Sequence, residues 1–148
     1  MKTGLAVTAI LIGLIAGADV KEDPNKKDLE SMQGDWAAVS SVRDGQKLPD
    51  DEAQILFRTV KGNGYTVFHF DRPIGRGTFT IDATKSPKAI DATPATPGGK
   101  GQALLGIYEI KGNRYTVCFA APRKERPTTF SSKADSGWVL TVWEREKK

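Results

Sequence analysis

Along most of the chain, short apolar runs alternate with polar residues and are separated by Gly, Pro, Asn and Asp; no long stretch repeats with a helical period. Residues 36–42 (WAAVSSV) predict a first strand, followed by the tight-turn signal Asp44-Gly45. Residues 53–60 (AQILFRTV) and 65–70 (YTVFHF) predict two more strands about the turn Lys61-Gly62-Asn63-Gly64. Pro73 and two glycines mark 71–77 as a loop before a fourth strand at 78–82 (TFTID). A short fifth strand, 88–93, is fenced by Pro87 and Pro94. Residues 93–102 (TPATPGGKGQ) read as the longest loop, unfit for a central strand. Strands at 103–110, 115–120 and 138–144 complete the set, with a basic loop at 121–127. Ahead of them, residues 28–33 predict a short helical turn with Asp28 as N-cap, ended by Gly34. Eight short strands predict an all-β fold, an antiparallel eight-stranded up-and-down barrel with a short N-terminal helical turn plugging one end.

Alternation alone leaves the inward face open in two strands. Either Tyr65, Val67 and His69 or Thr66, Phe68 and Phe70 point inward, and the last strand is apolar on both faces. The segment KGNGYTV at 61–67 recurs as KGNRYTV at 111–117. Gly and Asn suit a tight hairpin and Tyr-Thr-Val suits a strand, so the echo reads as two hairpins sharing one good turn.

The first residues follow a different rule. Lys2, the apolar run Leu5–Ile15 and Ala16-Gly17-Ala18 form the three-part pattern of a secretory signal peptide, with cleavage expected after Ala18. The apolar run is shorter than the roughly 20 residues a spanning helix needs. Residues 1–18 are thus read as the signal peptide, 19–28 as a charged flexible leader and 29–148 as one domain. The expected location is exported, periplasmic or extracellular, with no integral membrane segment after cleavage.

Composition narrows the chemistry. The chain has 148 residues with one Cys and one His, which excludes an internal disulfide and the usual zinc sites. No metal and no cofactor is expected. Residues 111–148 carry nine Lys/Arg against four Asp/Glu, a solvated face or a surface for an anionic partner; export argues against nucleic acid. Gly99-Lys100 is followed by Gly101 rather than Ser or Thr, so it is not a P-loop. Asp50-Asp51-Glu52 lacks the Gly and alternating ligands of a calcium loop and reads as a solvated turn. No nucleophile elbow is present. Cys118 reads as a buried small hydrophobe and His69 as a packed or surface side chain. Asp82 and Asp91 bracket Lys85, Pro87 and Lys88; ion pairing across a strand–turn–strand explains them, and a carboxylate hydrolase built on the two is the best enzymatic form. The chain is not expected to be an enzyme.

Gly34-Asp35-Trp36 opens the first strand and Arg145 follows the last. This pairing resembles the lipocalin superfamily, in which a G-x-W and a late Arg meet at the closed end of the barrel. The resemblance implies that Gly34, Trp36 and Arg145 close this one. A second resemblance covers nearly the whole chain after residue 18. It rests on Gly34-Asp35-Trp36 and on residues 44–49 (DGQKLP), 77–82 (GTFTID), 85–91 (KSPKAID), 106–109 (GIYE), 118–120 (CFA) and 126–130 (RPTTF). These blocks resemble a family of small exported planctomycete domains of uncharacterised function, which implies a lipocalin-like barrel and assigns no catalytic residue.

The expected function is binding of a small apolar or amphipathic ligand, with Asp82, Lys88, Asp91, Arg126 and His69 as candidate ligand contacts. The alternative is a solid barrel acting as an envelope protein- or glycan-interaction module, using Arg123, Lys124 and Arg126 of the basic loop.

Overall fold

The computed structural model describes residues 21–147. The expected signal peptide and its cleavage point lie outside them. Helix α1 (Pro24–Met32) leads into strand β1 (Gly34–Arg43), the short β2 (Gln46–Lys47) and the helical turn α2 (Asp50–Ala53). Strands β3 (Leu56–Lys61), β4 (Gly64–His69), β5 (Arg72–Asp82) and β6 (Lys88–Thr96) follow. After the short β7 (Gly99–Lys100) come β8 (Leu104–Lys111), β9 (Arg114–Phe119) and β10 (Val139–Arg145). Strands β1, β3, β4, β5, β6, β8, β9 and β10 pair antiparallel in chain order, and β10 returns to β1. The fold is therefore an all-β, lipocalin-like closed barrel of eight strands, with β2 and β7 as ribbons beside β1 and β6.

Closure gives the barrel two unlike ends. The turns at 61–64 and 111–114 lie at one end, beneath α1; each puts Gly first, with φ of 60° at Gly62 and 58° at Gly112. That is the hairpin chemistry read from the repeated segment. The other end, the mouth, is rimmed by the β1–β2 turn, the β4–β5 turn and residues 120–138. The inward face is now fixed: Trp36, Val60, Phe79, Ile90, Tyr108, Tyr115, Val117 and Trp143 form one core with Met32 of α1, and Tyr65 and Val67 pack against it.

Four local expectations change. Helix α1 starts at Pro24, not Asp28; Asp23 caps it, accepting from the Asn25 N–H at 3.0 Å, and Pro24 suits a first helical position. Residues 24–28, expected to belong to the leader, are thus helical. Asp50–Ala53 is a helical turn rather than solvated turn and strand, its acidic first turn matching the helix dipole. Residues 72–77, expected as loop, are strand. The pairing runs from Val67–Gly75 to Phe68–Pro73, so Ile74 is the extra residue of a bulge, the kind of site where a sheet accepts proline. Finally, β6 continues through Pro94 to Thr96, where a loop was expected. Pro94 pairs with Gly77, and any side chain at Gly77 would meet the Thr93 carbonyl, the Tyr65 hydroxyl and Pro94.

The plugged end is tied at many points. Arg145 donates from Nη1 to the Gln33 carbonyl and from Nη2 to the Ser31 carbonyl, both at 2.7 Å. Its guanidinium carbon lies 4.3 Å from the Trp36 ring centroid. Gly34 sits at φ 109°, and a Cβ there would lie 3.2 Å from Arg145 Nη1. Trp36 Nε1 donates to the Met32 carbonyl at 2.8 Å. Gln33 donates to the Gly62 carbonyl and accepts from the Gly62 N–H, and Asn25 accepts from the Ala83 N–H. Trp36→Ala is therefore expected to cost about 3–5 kcal/mol in denaturant melts, the range for removing a buried indole. An unchanged midpoint would remove Trp36 as the plug.

Candidate functional site

The polar residues singled out from sequence fall into three places. Lys88 lies at the plugged end. Its Nζ meets Asp28 Oδ2 at 2.7 Å, and the Tyr108 hydroxyl donates to the same oxygen at 2.7 Å. Asp28 is only 7% exposed, so these two donors compensate a nearly buried carboxylate. They fasten α1 to β6 and β8. Burial and the Asp28 bond together hold the Tyr108 phenol well above its ordinary range.

Asp82, Asp91 and Arg126 come together on the outer surface, around a shallow hollow of about 150 Å³ that Lys85 also lines. Arg126 Nη2 meets Asp91 Oδ1 at 2.7 Å, and its Nη1 reaches the carbonyls of Ile90 and Gly106 at 3.1 and 2.7 Å. Asp82 accepts from the Thr84 hydroxyl and N–H, which hold its carboxyl below the usual carboxylate range. His69 is exposed at the end of β4, edge-on to Phe70 with ring centroids 5.2 Å apart. None of these five residues lines the mouth hollows described below.

Arg126 belongs to a strap. Residues 120–138 fold back over the outer face of β6, β8 and β9. Strand alternation turns Ala89, Ile107 and Cys118 outward, yet all three are buried, as is Pro127 of the strap. Cys118 donates to the Ser131 carbonyl at 3.3 Å, and burial pushes its thiol up. Among the described residues, no group of three His, Cys, Asp or Glu side chains could hold a metal ion.

The mouth contains the larger spaces. One hollow of about 610 Å³ is walled by Pro94, Leu104, Phe119 and Val139; another of about 600 Å³ lies against Ser41, Leu48, Leu56 and Ile74. Arg43 and Asp44 line both, so they open side by side in one mouth. The rim between them is braced. Asp44 Oδ1 accepts from the Gly137 N–H at 2.7 Å, and Asp44 and Gly45 take φ of 53° and 79°, as a two-residue I′ turn requires. Gly45 passes so close to Ala134 that a Cβ would lie 2.6 Å from its nitrogen.

Beneath the mouth lies a group that the sequence reading did not single out. Leu56, Arg58 and Val60 occupy successive inward positions of β3, and Arg58 is 4% exposed. Its guanidinium carbon sits 4.9 Å from the Tyr65 ring centroid and 5.4 Å from that of Tyr115. The detectable signal is a charge at an apolar-face position of an alternating strand.

All three tyrosine phenols are raised above the ordinary value of 10.0, with burial the largest cause. An acid whose folded-state pKa is raised adds stability that is complete below its unfolded value. That stability is lost as pH climbs from about 10 through the folded value. Phenolate absorbance is expected to stay flat to about pH 10 and to rise with unfolding. A reversible three-phenol titration centred near 10 in folded protein would contradict this packing. No family model, curated protein or solved structure matches the chain.

Proposed function

We propose that this chain is an exported binding barrel whose mouth takes a small apolar or amphipathic molecule. The carrying observation is the hollow of about 610 Å³ with Leu104, Phe119 and Val139 in its wall, within the volume range of small-molecule sites. Hollows at the mouth favour this reading over a barrel filled throughout. Export rests on the N-terminal pattern of a charged start, an apolar run and A-x-A. The strap and the β1–β2 turn hold the rim in place, so the site is formed before a ligand arrives, which lowers the ordering cost of binding.

The neutral fluorescent probe N-phenyl-1-naphthylamine tests this. It is expected to bind the protein saturably at one equivalent. Leu104→Glu, which sets a carboxylate in the apolar wall, should weaken it at least about tenfold with the circular dichroism spectrum unchanged. Absence of a saturable site, or equal affinity in the variant, would sink the mouth as the binding site.

A further inference from the structure

Arg58 poses a problem that the fold itself does not solve. A guanidinium taken out of water is normally balanced by a carboxylate or by several carbonyl acceptors, because an uncompensated buried charge is costly. Among the described residues, Arg58 Nε and Nη2 have no hydrogen-bond partner. No ion pair among the described residues includes Arg58; Asp28 holds Lys88 at the plugged end, and Asp91 holds Arg126 on the outer surface. Two tyrosine ring faces supply some cation–π attraction and leave the in-plane N–H groups unused.

The identity of those two nitrogens matters. Nε–H and the adjacent Nη2–H point the same way and form the side-on fork that grips both oxygens of a carboxylate. On the inward face, two more buried groups lack hydrogen-bond partners among the described residues, the Tyr115 hydroxyl and Trp143 Nε1. Both are inward, and Tyr115 and Trp143 face each other across the β9–β10 ladder. Tyr115 is also one of the two rings against Arg58. All these groups are donors, and they belong to one lining of the barrel interior. Directly above Arg58 on the inward face of β3 is Leu56, a wall residue of the mouth.

We infer that the barrel takes its ligand acid end first, with a carboxylate gripped by Arg58 Nε and Nη2 and the Tyr115 hydroxyl and Trp143 indole N–H as further donors. The ligand class is an elongated monoanionic amphiphile, a carboxylic acid whose apolar part fills the mouth. This assignment rests on the mouth being the binding site and adds the chemistry of its floor. Apolar walls set the affinity for the tail, and Arg58 separates an acid from a neutral molecule of the same length.

The test is displacement of N-phenyl-1-naphthylamine by dodecanoate and by dodecanol, which differ only in the head group. Wild-type protein should release the probe at dodecanoate concentrations at least about tenfold below those of dodecanol, although the alcohol is the more hydrophobic of the two. Arg58→Met fills the same volume without charge. It should still bind the probe and should lose the preference for the acid. Arg58→Lys keeps a charge without the fork and should retain only part of it. Equal displacement by the two amphiphiles in wild-type protein overturns the inference, needs no variant to fold, and leaves the mouth reading standing. A preference for the acid that survives in Arg58→Met also overturns it. If wild-type protein binds neither the probe nor either amphiphile, the mouth reading falls and takes this inference with it.

Discussion

One guanidinium does three jobs at the plugged end and joins the last strand, the helix and the core there. Arg145 accompanies the last strand, reaches two carbonyls at the end of α1 and covers the Trp36 ring. The helix end would otherwise present unsatisfied carbonyls beside an apolar core. Arg145 also adds to the ladder bonds and the Ser41–Thr141 hydroxyl contact that tie the last strand to the first. Gly34 makes the arrangement possible, because its backbone passes close enough to Arg145 to leave little space for a side chain. With this end closed and filled by Met32, Trp36, Tyr108 and Tyr115, any free interior space is pushed toward the opposite end.

Three of the five polar residues that look most like a binding site in the sequence, Lys88, Asp91 and Arg126, are bound up in holding the barrel together. Lys88 serves the plug through Asp28, and Arg126 anchors the strap through Asp91 and two backbone carbonyls. The strap gives β6, β8 and β9 a second buried face, which explains the apolar Ala89, Ile107 and Cys118 on the outside of a barrel. Such a sheet is packed from both sides. The mouth borders it, so the rim inherits its rigidity.

Strand number, barrel closure and the two matching hairpins were legible because they depend on period-two alternation and local turn chemistry. Proline misled twice, at Pro73 and Pro94, since a bulge or a facing glycine can admit it to a ladder and neither is visible without the partner strand. Asp50-Asp51-Glu52 read as a turn because four residues give no helical period to detect. The inward faces of β4 and β10 needed the closed barrel to decide them. Arg58 was present in the pattern at an apolar-face position, between Leu56 and Val60, but a single charge in a strand carries no label until its surroundings are known. Asp28 was hidden for a related reason: its partners lie 60 and 80 positions away.

The seam between β1 and β10 has a kinetic side. Ser41 and Thr141, which meet across it, are a hundred positions apart. Hairpins along the meander can form from neighbouring residues as they become available, whereas the seam requires nearly the whole ordered chain at once. Loop-closure entropy for that contact is met late, and folds dominated by such distant pairings are slow. Until β10 docks, β1 and β9 both expose unpaired edges, which are templates for pairing with another chain. A chain held short of its final strand is therefore an open sheet with two adhesive edges, and the last strand is what covers both of them.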